Sequence, residues 1–195
     1  MTGVDLTDRQ RELATAALGI VASEGMAAVT FRSVAAASGW SLGAVQKAFA
    51  SKDEMYAAMF ATLRASEGVG PVNPPGEPSV AEWLVELVVS ILPLDEKRRR
   101  LTLQGQAFAE RAGLDPAVSE AISGSDGELR GLLAGLIRKG QAEGEVPASV
   151  DPPIAAWAVL ALAQGLAAQL LYDPVSERVM TKRVRTAVGA LLHLG

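Results

Sequence analysis

The chain has no cysteine, one histidine and nine aromatic residues (three Trp, two Tyr and four Phe) in 195, and each scarcity excludes a kind of chemistry. Without cysteine there is no disulfide and no thiolate metal site, which fits a reducing compartment and an expected cytoplasmic location. The single histidine, His193, lies near the C-terminal end, where a solvated side chain is expected. One histidine and no cysteine leave no Ser-His-Asp or Cys-His nucleophile and no His-rich metal centre. Glu82, Glu86 and Glu110 supply carboxylates, but nothing in their spacing places two together for acid–base work. No catalytic residue, metal ligand or cofactor is therefore assigned, and the chain does not read as an enzyme. The segment around Asp5, Asp8, Arg9, Arg11 and Glu12 has no apolar run before it, so no signal peptide is expected.

Positive charge is also in short supply. The formal net charge is −4. Residues 1–66 hold six basic and six acidic side chains, and residues 67–195 hold twelve and sixteen. Any basic face in the first third must come from arrangement rather than excess. What is abundant is apolar: 49% of residues are hydrophobic, with Ala and Leu prominent, a composition that favours packed helices over sheet.

Helix signals recur along the chain. Thr7-Asp8-Arg9-Gln10, Ser51-Lys52-Asp53-Glu54 and Ser79-Val80-Ala81-Glu82 have capping-box form. The first opens a helix with Leu13, Ala17, Ile20 and Val21 on one face, ending near Gly25. The second leads through Met55, Met59 and Leu63. The third leads into Trp83, Leu84, Leu87, Val88 and Ile91, which Pro93 ends. Between the last two lies a stretch from Gly68 to Pro78 containing Pro71, Pro74, Pro75 and Pro78, read as a linker. A further helix spans about Asp95 to Ala112, with Leu101, Gln104, Phe108 and Ala112 along one side. Lys97-Arg98-Arg99-Arg100 within it reads as a solvated face beside Asp95 and Glu96. Asp115-Pro116, Asp151-Pro152 and Asp173-Pro174 each place an aspartate cap before proline at the first helical position. Gly124 and Gly127 predict a kink or break in the helix that follows Asp115, since each glycine costs about 1 kcal/mol against alanine.

Residues 30–52 carry the functional signal. Thr30 caps a short helix whose Val34, Ala35 and Ala37 face inward. Ser38-Gly39-Trp40-Ser41 then supplies a turn glycine and a serine cap. Leu42, Val45 and Phe49 recur at helical spacing, leaving Ser41, Gly43, Ala44, Gln46 and Lys47 outward. A small helix with a short polar outer face, held across a tight turn, suits a DNA major groove.

Gly25, Thr30, Val34-Ala35, Gly39, Ser41, Gly43, Val45, Phe49 and Lys52 together resemble the DNA-binding module of TetR-type repressors. The match departs from that pattern at Gln46, where the family usually carries a phosphate-contacting tyrosine, and at Trp40, where a small aliphatic is usual. A glutamine at position 46 can instead read adenine bidentately. Gly144, Val146, Asp151, Ala155-Ala156, Gly165-Leu166, Gln169 and Asp173-Pro174 resemble the C-terminal half of choline-responsive BetI-type regulators. The resemblance implies an all-α protein of about nine helices. Residues 1–50 would form a three-helix helix-turn-helix DNA-binding domain, and residues 51–195 an effector-binding and dimerisation domain that begins with a connecting helix over 52–65.

The DNA-contacting residues expected on this basis are Thr30, Arg32, Ser41, Leu42, Gly43, Ala44, Gln46, Lys47 and Lys52. Thr30, Ser41 and Lys52 would grip phosphates, which positions the protein without reading sequence. Trp83, Leu87, Gln104, Phe108, Leu133, Trp157 and Gln164 are expected to line a small-molecule cavity, with the aromatics suited to a quaternary ammonium. The alternative is that the same side chains simply make core.

Between Asp151 and Asp173 lie 21 residues without a charge, long enough to span a membrane. Both flanks are acidic and Gln164 and Gln169 interrupt the run, so no membrane partner is expected. Burial on two sides, by the chain's own core and by a second subunit, accounts equally well for such a helix. The expected dimer interface is Leu162, Leu166, Gln169, Val184, Ala187, Val188 and Leu191. The sequence thus reads as a homodimeric regulator, a repressor released from a palindromic double-stranded operator by a small-molecule effector. The rival reading is a helical ligand-binding protein whose DNA module is weakened or lost.

Overall fold

The computed structural model describes residues 6–66 and 78–193; the expected Pro/Gly linker lies, apart from Pro78, outside the described residues. Nine α-helices and one 3-10 turn make up the described chain, with no strand among them. The chain divides into two units, the first Met1–Gly68 with Leu103–Ser119 and the second Val69–Thr102 with Glu120–Gly195.

In the first unit, α1 (Asp8–Glu24) starts at the expected capping box: Thr7 accepts from Gln10 N–H, and the Gln10 side chain accepts from Thr7 N–H. It ends at Gly25, whose φ of 83° is a backbone state that favours glycine. The 3-10 turn Met26–Ala28 leads to α2 (Phe31–Ser38), capped by Thr30 in a second reciprocal box with Ser33. Gly39, at φ 76°, ends α2 in the left-handed conformation. Ser41 then accepts from Ala44 N–H to open α3 (Leu42–Ala48). The fourth helix, α4 (Lys52–Ser66), begins where Ser51 accepts from Glu54 N–H, while the Glu54 carboxylate reaches back to Ala50 N–H at 2.7 Å. Leu13, Val29, Val34, Val45, Phe49, Met55 and Met59 form the core of this unit, each essentially inaccessible.

In the second unit, α5 (Val80–Ile91) is capped by Ser79, and its Val80 N–H donates to the Glu145 carboxylate at 2.8 Å. The sixth helix, α6 (Glu96–Ala112), belongs to this unit only up to Thr102, its remainder being part of the first, and at its start the Asp95 carboxylate accepts from Arg98 N–H. The seventh, α7 (Pro116–Ala142), runs unbroken for 27 residues, so the break expected at Gly124 and Gly127 does not occur. One glycine of that helix is required by packing: a Cβ on Gly140 would stand 2.8 Å from Val80 Cγ2. The eighth helix is α8 (Pro152–Leu170), with Asp151 as its cap as expected. The ninth, α9 (Glu177–Leu191), starts after Ser176. Asp173-Pro174 therefore begins no helix: Asp173 N–H closes a turn onto Gln169 C=O at 2.8 Å instead. Helix α9 packs on α5, and α8 packs on both. Their shared core includes Leu84, Val88, Leu92, Leu133, Ile137, Ala156, Val159, Val184 and Val188.

Candidate nucleic-acid interface

Helix α3 is pinned by two residues and shows the rest to solvent. Val45 and Phe49 are buried, while Leu42, Gly43, Gln46 and Lys47 are exposed and Ala44 is half-buried. Seven residues suffice because both ends are held from outside. Ser41 caps the start, and the Gln10 amide of α1 donates to Ala48 C=O at the end, 3.0 Å away. Thr30, Arg32, Ser41 and Lys52 are also exposed. Two hydroxyls of this group already serve the fold, since Thr30 and Ser41 each accept a helix-opening N–H; the Ser41 O–H is left to donate to a phosphate oxygen, while the Thr30 O–H is 3.0 Å from Ser33 Oγ. Lys52 stands with its ammonium 5.4 Å from the Tyr56 ring centroid, near the limit of a cation–π contact.

Two features of this unit were not foreseen. The first is that Trp40 does not simply join the core: it is half-buried, and the Arg9 guanidinium stacks 4.5 Å above its ring. The second is a cluster around Arg111, whose guanidinium lies 4.2 Å from the Tyr56 centroid and reaches Asp115 at 2.7 Å and Asp53 at 3.8 Å. Burial alone would raise the Asp115 carboxyl. Hydrogen bonds from Val118 N–H and the Arg111 guanidinium outweigh it and hold that carboxyl below its ordinary value. Arg111 Nε is buried without an acceptor. Both groupings join residues far apart in sequence, so periodicity carried no signal for either.

The seven residues expected around a ligand are not gathered at one recess. Gln104 and Phe108 belong to the first unit, where the Gln104 amide donates to Leu18 C=O at 2.8 Å and Phe108 packs edge-on against Phe60. In the second unit Leu133 is core, and Trp83 and Leu87 pack partly buried against it. Gln164 donates to the Asp126 carboxylate at 3.1 Å. Trp157 is 60% exposed and lines an open recess of about 380 Å³ with Arg130, Gly131, Ala134, Arg138 and Pro153. The other six residues of the expected set are not in its lining. Its lining is mostly apolar, and two arginines, Arg130 and Arg138, border it.

The expected dimer face also needs correction. Val184 and Val188 are 0% exposed in the single chain, so neither has surface left for a partner. Both sit on the side of α9 turned to α5, because one apolar stripe of an amphipathic helix goes to the nearer core first. Leu162, Leu166, Ala187 and Leu191 are half-buried, and Gln169 is exposed. Helix α8 is long and apolar enough to cross a membrane, yet Ala155, Ala156, Val159, Leu160, Ala163 and Leu170 along it are buried inside the chain.

Two short helices joined by a glycine turn, the second pinned by its apolar side and open on its polar side, define a helix-turn-helix DNA-binding protein. Residues 13–59 match the model of bacterial regulatory proteins of the tetR family, and residues 80–193 match the C-terminal domain of BetI-type transcriptional repressors. The chain belongs to the TetR family of transcriptional regulators, with a C-terminal domain of the BetI type.

Among solved structures, a transcriptional regulator from Rhodococcus sp. Rha1 is similar at 27% identity and a TM-score of 0.84, over 96% of this chain and 97% of that one. A transcriptional regulator from Saccharomonospora viridis in complex with choline gives 21% and 0.80, over 93% and 95%. GusR from Salmonella enterica gives 21% and 0.77, over 97% and 100%. The last two show a shared fold. A search of curated proteins gave no match.

Proposed function

We propose that the chain is a one-component repressor that binds a palindromic operator as a homodimer and is released by a small-molecule effector. The observation that carries the reading is α3, which exposes Leu42, Gly43, Gln46 and Lys47 while Val45 and Phe49 are buried and Gln10 of α1 holds its end. Such a face enters the major groove, and two copies must stand roughly 34 Å apart to reach successive grooves. Thr30, Arg32, Ser41 and Lys52 grip phosphates; Leu42, Gly43, Ala44, Gln46 and Lys47 meet base edges and the groove wall. Gln46 pairs with adenine in place of the family's tyrosine–phosphate contact.

The second copy is recruited through the outer sides of α8 and α9. Ala161, Gly165 and Gln169 of the former and Ala190 of the latter are exposed, with Leu162 and Ala187 half-buried beside them; the alanines and the glycine let helices approach closely. This surface replaces the face that included Val184 and Val188.

The effector is an anion with an apolar body. The Trp157 recess is mostly apolar and is bordered by Arg130 and Arg138, whose charge disfavours a quaternary ammonium such as the choline held by the Saccharomonospora regulator. To release DNA the effector must favour one packing of the regulator over another, with a coupling of about 1–3 kcal/mol.

The test is a binding titration of the protein against duplex DNA from upstream of its own gene. Specific binding is expected, with Lys47→Ala lowering the salt-dependence slope by about one unit. Absence of any specific fragment would favour the rival reading, a ligand-binding protein with a disabled reading head, to which the balanced charge of residues 1–66 also points.

A further inference from the structure

We propose that Arg9 is a DNA-backbone contact of the reading head, held in position by Trp40. The proposal rests on the operator-binding reading above. Trp40 occupies the turn between α2 and α3, one residue before the Ser41 cap. When a recognition helix enters the major groove, that turn comes up against the phosphates of the groove wall. The Arg9 guanidinium is at this turn, 4.5 Å from the Trp40 ring centroid, well inside the range of a cation–π contact.

Three further observations give Arg9 this role rather than a solvated one. Its neighbour Asp8 is engaged by Arg11 at 2.8 Å. Among the described residues no carboxylate pairs with Arg9. The backbone that carries it is fixed, because the Thr7–Gln10 box closes the first turn of α1 and Gln10 is tied to Ala48 at the end of α3.

A guanidinium over an indole ring keeps planar N–H groups available to two phosphate oxygens. Stacking also holds the side chain in one place before DNA arrives, which reduces the ordering cost of binding. Residues 1–66 carry no excess of positive charge, so phosphate binding depends on where its few cations, Arg9 among them, are placed.

The experiment measures the affinity of full-length protein for its upstream duplex by fluorescence anisotropy over a series of KCl concentrations. Arg9→Ala is expected to weaken binding roughly tenfold and to lower the slope of log K against log [KCl] by about one unit. Arg9→Lys should keep most of the slope while losing affinity, because an ammonium lacks the planar fork. Trp40→Leu should weaken binding in the wild-type background and add nothing in the Arg9→Ala background. Arg9 is exposed, so its variants are expected to remain folded, as circular dichroism would verify. An unchanged slope for Arg9→Ala, in a protein whose wild type binds, overturns the proposal and leaves Arg9 as a cover for the indole. A wild type that binds no upstream duplex removes the operator reading and this proposal with it.

Discussion

Val188 shows how one position changes meaning once the chain is folded. By spacing, Val184 and Val188 lie on the apolar stripe of an amphipathic helix, and a stripe can face a core or a partner. Both are wholly covered within the chain. A carboxylate at Val188 would be buried without a counter-charge, a cost of several kcal/mol. Val188→Glu is therefore expected to abolish cooperative unfolding and yield aggregated protein. Ala190→Glu, on the exposed side of α9, should keep the helical spectrum and sediment as a monomer with reduced operator affinity. A folded Val188→Glu monomer, or an Ala190→Glu dimer, would contradict this assignment. Gln46 and Trp40 illustrate the limits of single-residue reading in the other direction: each departs from the family pattern, and only Trp40 has its partner disclosed by the fold.

Helices are where sequence and structure agree best, because caps are local. The box at Thr7, the serine cap at Ser79 and the aspartate at Asp151 open helices where expected, since a side-chain oxygen and an N–H two or three residues on need nothing distant. The two failures have different causes. Helix α7 continues through Gly124 and Gly127 because its core-facing Leu133, Ala134 and Ile137 are buried along its second half, and that burial outweighs glycine's poor propensity. Pro174 begins nothing because the chain is still turning off the end of α8.

The start of α6 offers an electrostatic test. The Arg98 N–H, and then the Arg98 guanidinium, lower the Asp95 carboxyl from its ordinary value. That guanidinium also reaches Glu177 on α9 at 3.1 Å. A depressed folded value means that the interaction stabilises above the unfolded value of about 3.9 and fades as pH falls through the folded one. Asp95→Asn should thus have a lower melting temperature than wild type at neutral pH, with the gap closing below about pH 4. A gap independent of pH would mean that the charge of Asp95 plays no part.

The molecule as a whole is a TetR-family regulator, and its response to ligands tests the recess around Trp157. If Arg130 and Arg138 select the effector, an amphipathic carboxylate should raise the melting temperature and weaken operator binding, while choline at equal concentration does neither. Ligand at a hundred times its dissociation constant stabilises by about 2.7 kcal/mol, readily seen as a thermal shift. Arg138→Ala should reduce the carboxylate effect. A shift with choline that survives this substitution would place the effector elsewhere and restore a cationic ligand.

The amino-acid sequence alone determined the helices, their caps, the helix-turn-helix and its outward residues, because 3.6-residue periodicity, turn glycines and hydroxyl caps act over a few positions. It also carried the family, through spacing that a short motif preserves. Tertiary structure decided which stripe of α9 is core, that Gln104 serves Leu18, that Phe108 meets Phe60, and that Arg9 stacks on Trp40. Those outcomes depend on which surfaces meet after the chain has folded back on itself, and an apolar or amphipathic side chain carries no mark of which surface that will be.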